Sequence, residues 1–223
     1  MALFAISDLH LSFSADKPMN VFGSLWDCYE EKMEANWNNI VSDNDIVVIC
    51  GDISWATYID DAAADFAYID RLKGKKIILK GNHDYWWTTL SKMNMFLNSN
   101  GFSTISVLHN NSFETESISV CGTRGWIPRE QCKKADDKKI YDRELQRFEL
   151  SLASAKNKDI IACLHYPPDE EFLLLMNKYN VKKCLFGHLH AKSQQNAPQG
   201  IFNGIECRLV SCDYLGFTPV RIV

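Results

Sequence analysis

Residues 76–84 read KIILKGNHD: the apolar run Ile77-Ile78-Leu79 gives way at Gly81 to an amide, an imidazole and a carboxylate, those of Asn82, His83 and Asp84. A short run rich in β-branched residues and closed by glycine reads as a buried strand, here with polar groups carried on its C-terminal end. The same arrangement recurs outward in both directions. Asp8 and His10 follow LFAIS, Asp52 follows IVVICG, His165 follows IIACL, and His188 with His190 follows CLFG. The sixth histidine, His109, also follows an apolar run, SVL, but has only asparagines beside it. It reads as a packed or solvated side chain.

Eight strand candidates come from runs of this kind: Leu3–Ser7, Asp45–Cys50, Lys76–Lys80, Thr104–Leu108, Ile118–Gly122, Ile160–Leu164, Lys183–Phe186 and Cys207–Ser211. Helix-period segments fill several gaps. Trp26, Tyr29, Met33, Trp37 and Ile40 share one face, as do Ile59, Ala62, Phe66, Ile69 and Leu72, with Gly74 as a C-terminal cap. From Asp137 to Lys156, Tyr141, Leu145, Phe148, Leu152 and Ala155 repeat at helical spacing, with acids at the start and lysines at the end as the helix dipole favours. Strands alternating with helices predict an α/β or mixed α+β domain. With no internal repeat or low-complexity linker, residues 1–223 read as one domain.

The chain carries 24 Lys plus Arg against 28 Asp plus Glu, a formal charge of −4, which argues against a surface built to grip nucleic acid. Its apolar runs are all far short of a membrane span. MALFAISDLHL lacks the basic flank and cleavage site of a signal peptide and is expected to be a first strand. The eight cysteines are scattered and lack a Cys-X-X-Cys pair, which predicts reduced core thiols in a cytoplasmic protein. The lysine-rich stretches Lys73–Lys76 and Lys133–Lys139 read as solvated turns and helix ends.

The strand-end groups form a chemical set. Asp8, His10, Asp52, Asn82, His165, His188 and His190 offer two carboxylates, one amide and four imidazoles, too many for one tetrahedral ion and enough for two. With Asp52 bridging, each ion would have about four protein ligands and room for water. Nitrogen and oxygen donors without a thiolate favour Mn, Fe, Zn or Co. Such a pair is a positive centre in an acidic chain and suits in-line displacement at a phosphoester. His83, flanked by Asn82 and Asp84 and left unligated, suits protonation of the leaving alkoxide, with a carboxylate to orient it.

The order of these blocks resembles the calcineurin-like metallophosphoesterases. DLH at Asp8–His10, GD at Gly51–Asp52, GNHD at Gly81–Asp84, His165 in LHYPP and GHLH at Gly187–His190 stand in that family's order. The resemblance implies a four-layer α/β/β/α sandwich with the active site at the C-terminal strand edges. It implies that Asp8, His10, Asp52 and His190 hold one metal, with Asp52 bridging to a second held by Asn82, His165 and His188. It implies that a metal-bridging hydroxide attacks phosphorus, that His83 assists the leaving group, and that Asp84 orients His83. The chain departs from the protein phosphatase branch: GDISWATYIDD lacks that branch's arginine, and Tyr85-Trp86-Trp87 follows GNHD. The block GTRGW (Gly122–Trp126) is similar to a group of small prokaryotic-type phosphohydrolases without an assigned substrate.

The expected activity is therefore hydrolysis of a small phosphomonoester or phosphodiester, nucleotides included, with manganese among the metals. The alternative from another class is a non-catalytic scaffold of the same fold that binds a protein partner, and the presence of His83 argues against it. Aromatic residues crowd the motif loops: Trp55, Tyr58, Tyr85, Trp86, Trp87, Trp126 and Tyr166. Trp86 is the candidate to stack on substrate, and Arg124 and Arg129, which flank Trp126, are the candidates for a phosphate contact outside the metals, Arg124 first.

Overall fold

In a computed structural model covering residues 1–223, eleven strands and five α-helices follow in order. They are β1 (Leu3–Ile6), α1 (Tyr29–Ile40), β2 (Ile46–Ile49), α2 (Ala63–Arg71), β3 (Lys75–Ile78), α3 (Leu90–Asn100), β4 (Ile105–Val107) and β5 (Ser112–Glu114). Then come β6 (Ile118–Thr123), α4 (Ala135–Ala153), β7 (Asp159–Leu164), α5 (Glu170–Lys178), β8 (Lys183–Phe186), β9 (Gly200–Phe202), β10 (Ile205–Leu209) and β11 (Val220–Arg221). One sheet runs β11-β1-β2-β3-β4 and the other β5-β6-β7-β8-β10-β9. Within each sheet the central strands are parallel, and β11, β5 and β9 are antiparallel additions at the edges.

The alternation of side chains along a strand sorts these residues into layers. In β2 and its extension, Ile46, Val48 and Cys50 point between the sheets, where they meet Ile161, Cys163 and Leu185 of the other sheet. Val47 and Ile49 point to the opposite face and pack with Met33 and Trp37 of α1, Phe66 of α2 and Met93 of α3. On the far side, Ala162 and Leu164 of β7 pack with Phe148 of α4 and Phe172 of α5. Both faces of both sheets are thus covered, which is why the parallel strands read as continuous apolar runs. The architecture is the four-layer α/β/β/α sandwich that the motifs implied. No helix is long and apolar enough to cross a membrane.

Lys76 departs from its expected solvated turn: it is fully buried at the start of β3. Its ammonium donates to the carbonyls of Leu72 at 2.6 Å, Gly74 at 2.8 Å and Asp70 at 3.2 Å, all at or just past the C-terminus of α2. Those are carbonyls that the helix cannot satisfy itself.

Candidate metal centre

Parallel strands leave their C-terminal ends on one rim, and the polar residues after β1, β2, β3, β7 and β8 gather there. The turns are tight. Asp8, His10, Asp52 and His188 adopt left-handed φ of 63°, 48°, 51° and 73°, a conformation that costs non-glycine residues energy and is held only where the surroundings enforce it. A β-carbon on Gly81 would overlap the Asp52 backbone nitrogen and Oδ1, and one on Gly187 would overlap the Ser7 hydroxyl and the Asp8 carboxylate. Both glycines let two turns of the rim meet.

Backbone amides fix the carboxylates. The His188 N–H donates to Asp8 Oδ2 at 3.0 Å, and the His83 N–H to Asp52 Oδ1 at 2.8 Å. Two groups of potential ligand atoms result: Asp8, His10 and His190, and Asp8, Asp52 and His165. Asp52 Oδ2 lies between them, 3.4 Å from His165 Nε2 and 3.9 Å from His10 Nε2. Asn82 joins the second group through Oδ1, 2.7 Å from His165 Nε2. His188 stands beside that group, its ring 5.1 Å from the His165 ring and tilted over Tyr166 at 4.0 Å between centroids.

The hydrogen bonds on the outer side of two rings show which nitrogens face the centre. The Cys50 carbonyl lies 3.0 Å from His165 Nδ1, and the Asp213 carboxylate lies 3.0 Å from His190 Nδ1. Each bond takes the Nδ1 proton and turns Nε2 to the centre, the nitrogen by which such a ring binds a metal once deprotonated. His165 Nε2 then faces the Asn82 and Asp52 oxygens, and His190 Nε2 faces Asp8 Oδ1 at 3.4 Å and His10 Nε2 at 3.3 Å. Without a metal a proton on each Nε2 serves these oxygens, and a metal ion would take that proton's place. Donors about 2.1 Å from one ion at tetrahedral or octahedral angles stand roughly 3.0–3.4 Å apart, so the spacing fits two metal ions.

The titration of these groups has the same origin. Burial disfavours a charged ring at His165, but the Asp52 and Asp8 carboxylates outweigh it and raise the ring to about 9. At His190 burial is likewise outweighed, by Asp213 and Asp8, and the ring rises to about 10. His10 and His188, where burial dominates, fall to about 4. Burial opposes ionisation of Asp8 too, yet its histidine neighbours, His190 first, hold it well below the ordinary carboxylate range.

Two expectations are corrected here. Asp84 does not orient the His83 ring. Its buried carboxylate accepts from the backbone N–H groups of Gly81 (2.7 Å), Ile53 (2.8 Å), Asp52 (3.0 Å) and Ser54 (3.3 Å), and so clasps the GD and GNHD turns together. Burial, then the Asp52 charge, push it up to about 7 against those donors. Trp86 does not face the rim either: it is 2% exposed, its ring packs edge-on against Phe66, and its indole N–H donates to the Ser54 carbonyl at 3.2 Å.

His83 itself sits on the Trp55 ring at 4.5 Å, is 5.8 Å from the His10 ring, and has no partner at Nδ1. Trp55 also stacks on His10 at 5.0 Å. Arg124 lies over Trp126 at 4.5 Å, and its carbonyl accepts from the His165 and Tyr166 amides at 3.1 and 2.9 Å. His109 lies apart from both ligand groups, near Trp87. Sequence reasoning missed Asp213, although it follows the strand candidate Cys207–Ser211 as the named aspartates follow theirs.

A sequence profile described as calcineurin-like phosphoesterase matches residues 1–192. No curated protein matches the chain. Among solved structures, a protein of unknown function from Aquifex aeolicus is similar over 99% of this chain and 95% of its own, at 16% identity and a TM-score of 0.54. The phosphopantetheinyl hydrolase of Mycobacterium tuberculosis is similar over 100% and 95%, at 13% identity and a TM-score of 0.58. A protein of Thermus thermophilus is similar over 92% and 86%, at 14% identity and a TM-score of 0.57. At these identities the likeness is one of fold.

Proposed function

The chain belongs to the calcineurin-like phosphoesterase family, and from that premise we propose that residues 1–223 form one phosphohydrolase domain that cleaves a small phosphoester with two bound metal ions. The observation that carries this reading is the convergence of His165 Nε2, His190 Nε2, Asn82 Oδ1 and the Asp8 and Asp52 carboxylates on two neighbouring points, with the Nδ1 atoms of both rings already taken by the Cys50 carbonyl and Asp213. Asp8, His10 and His190 would hold one ion, and Asn82, His165 and His188 the other, with Asp52 between. The donor set suits Mn, Fe, Zn or Co. Such a pair supplies an activated water and offsets charge on the phosphoryl oxygens.

The remaining work falls to the protein's own groups. Asp213 and the Cys50 carbonyl take the Nδ1 atoms of His190 and His165, so that Nε2 of each ring is the one that would ligate, and Asp84 holds the two turns that carry Asp52 and His83. His83 is half-buried, and burial lowers its tendency to hold a proton while Asp52 opposes that. Braced on Trp55 beside His10, the half-buried ring is placed to bond a phosphoryl oxygen or pass a proton to the leaving oxygen. Eight free cysteines, all but Cys28 buried, fit the reducing interior of a cell.

The test is an assay of the wild type, His83→Ala and Asp52→Asn against an aryl phosphomonoester and a bis-aryl phosphodiester in Mn, Fe, Zn, Co and Mg. His83→Ala is expected to lose about 10²-fold or more in kcat, the usual worth of a positioned acid, and Asp52→Asn to fall to background. A wild type no faster than these variants in every metal would overturn the hydrolase reading and favour the scaffold alternative.

A further inference from the structure

Beside the ligand groups, on the same strand rim, a cleft of about 340 Å³ opens between the ends of β3, β4 and β6. This is the small end of ligand-site volumes. Its lining is cationic: Lys80 from the end of β3, Arg124 from the end of β6 and Arg147 from α4, with His109 at its β4 side. The one carboxylate in the lining, that of buried Glu144, is shared. It accepts from Arg147 at 2.9 Å, Arg124 at 3.3 Å and the Thr123 hydroxyl at 2.6 Å. Three cations against one anion leave 3 − 1 = 2 positive charges unmatched in the cleft, and Lys80 has no carboxylate of its own there.

Arg124 shows that the mismatch is built in. Its side chain is 12% exposed, stacked on Trp126 and anchored next to His165, yet its Nε is buried without a partner. Sharing one carboxylate with Arg147 and with one N–H unpaired, the guanidinium keeps a charge that is only partly matched.

We propose that this cleft binds a second phosphate group of the substrate, so that the enzyme acts on small organic bisphosphates: one phosphate ester at the ligand groups, the other held by Lys80, Arg124 and Arg147. The inference rests on the phosphohydrolase reading above and names its substrate class. A phosphate monoester carries about −1.5 to −2 at neutral pH and presents three acceptor oxygens, which matches two unmatched charges and three cationic side chains. A carboxylate would bring one charge and leave the mismatch standing. Lys80 precedes Asn82 by two residues, so their Cα atoms are at most about 7 Å apart and the cleft adjoins the ligand groups. A sugar ring or short carbon chain bridges such a separation.

Propanediol, butanediol and pentanediol bisphosphates, assayed against the corresponding monophosphates, read this directly. The wild type is expected to favour at least one bisphosphate by about tenfold or more in kcat/KM, and that ratio is expected to fall towards one in both Lys80→Met and Arg147→Met. A ratio near one in the wild type, or a preference that survives both substitutions, overturns the proposal. Calorimetric titration of the bisphosphates into protein held in excess chelator separates the two readings, since it needs no turnover. Binding that weakens at least tenfold in Lys80→Met supports the cleft even if no ester is hydrolysed, while turnover of monophosphates without such binding removes the cleft and leaves the hydrolase. In metal-loaded protein, where both sites are open, bisphosphates that bind no more tightly than inorganic phosphate would make the cleft a free-anion site and overturn the substrate assignment.

Discussion

Asp213 touches no phosphoester in the proposed reaction, yet it determines which ring nitrogen His190 presents to the centre. Its Oδ1 takes His190 Nδ1, and its Oδ2 is held by Gln194 Nε2 at 2.7 Å, so the carboxylate itself is fixed. Asp213→Asn removes the charge that favours Nδ1–H and is expected to weaken metal binding by about 10–100-fold, as for other partners of ligating histidines. Calorimetric titration of Mn into metal-free protein checks this; unchanged affinity would make Asp213 merely structural. At this scale the sequence is informative about which residues reach the rim and silent about how each side chain turns. GNHD, DLH and GHLH are legible because polar groups at the end of a buried strand have few other reasons to be there. Asp84 and Trp86 are adjacent to that pattern, but a carboxylate claimed by four amides and an indole claimed by Phe66 and the Ser54 carbonyl are tertiary facts.

The elements that can be read in advance are the eight parallel strands, β1 to β4, β6 to β8 and β10, each of which has a counterpart among the apolar runs of the sequence. Strands buried on both faces must be apolar throughout. β5, β9 and β11 lie at sheet edges, are two or three residues long and carry no buried residue, so no apolar run marks them. Lys76 shows the converse, a charged residue inside an element, tying the end of α2 to the start of β3. Lys76→Met would leave the Leu72, Gly74 and Asp70 carbonyls without their donor, and a loss of about 2–4 kcal/mol in urea denaturation at pH 7 is expected. Burial pushes the ammonium from 10.5 down to about 8. Between those values the unfolded chain holds the proton and the folded chain does not, so wild-type stability rises with pH in that window. The gap between wild type and Lys76→Met should therefore widen from pH 8 to pH 10, and a gap that narrows would mean that the carbonyls hold the charged form.

For the molecule as a whole, the placement of the ligands makes the proposed metals part of the fold. Asp8, His10, Asp52 and Asn82 come from the sheet containing β1 to β3, whereas His165, His188 and His190 come from the sheet containing β7 and β8. The sheets otherwise meet through apolar side chains such as Val48, Ile77, Ile161 and Leu185, and at the rim through the short Ser7–Ser211 bridge and the Asp8–His188 and Cys50–His165 hydrogen bonds. Apolar packing resists separation without fixing the spacing of two rims to a fraction of an ångström, whereas ligands from both sides of an ion do. Any ion that binds the folded rim and not the unfolded chain adds stability by mass action, about 2.7 kcal/mol at a hundred times Kd. In a domain of this size that corresponds to a rise in Tm of about 5–10 °C. Thermal unfolding followed by circular dichroism should show this rise on titrating Mn into chelator-treated protein, and its reversal by chelator. In Asp8→Asn the rise should shrink, because Asp8 lies in both ligand groups and its carboxylate also anchors the His188 amide of the other sheet. A midpoint that does not respond to metal, in protein that calorimetry shows to be metal-bound, would mean that the unfolded chain holds the ions as tightly as the folded rim, and that the ions do not tie the sheets together.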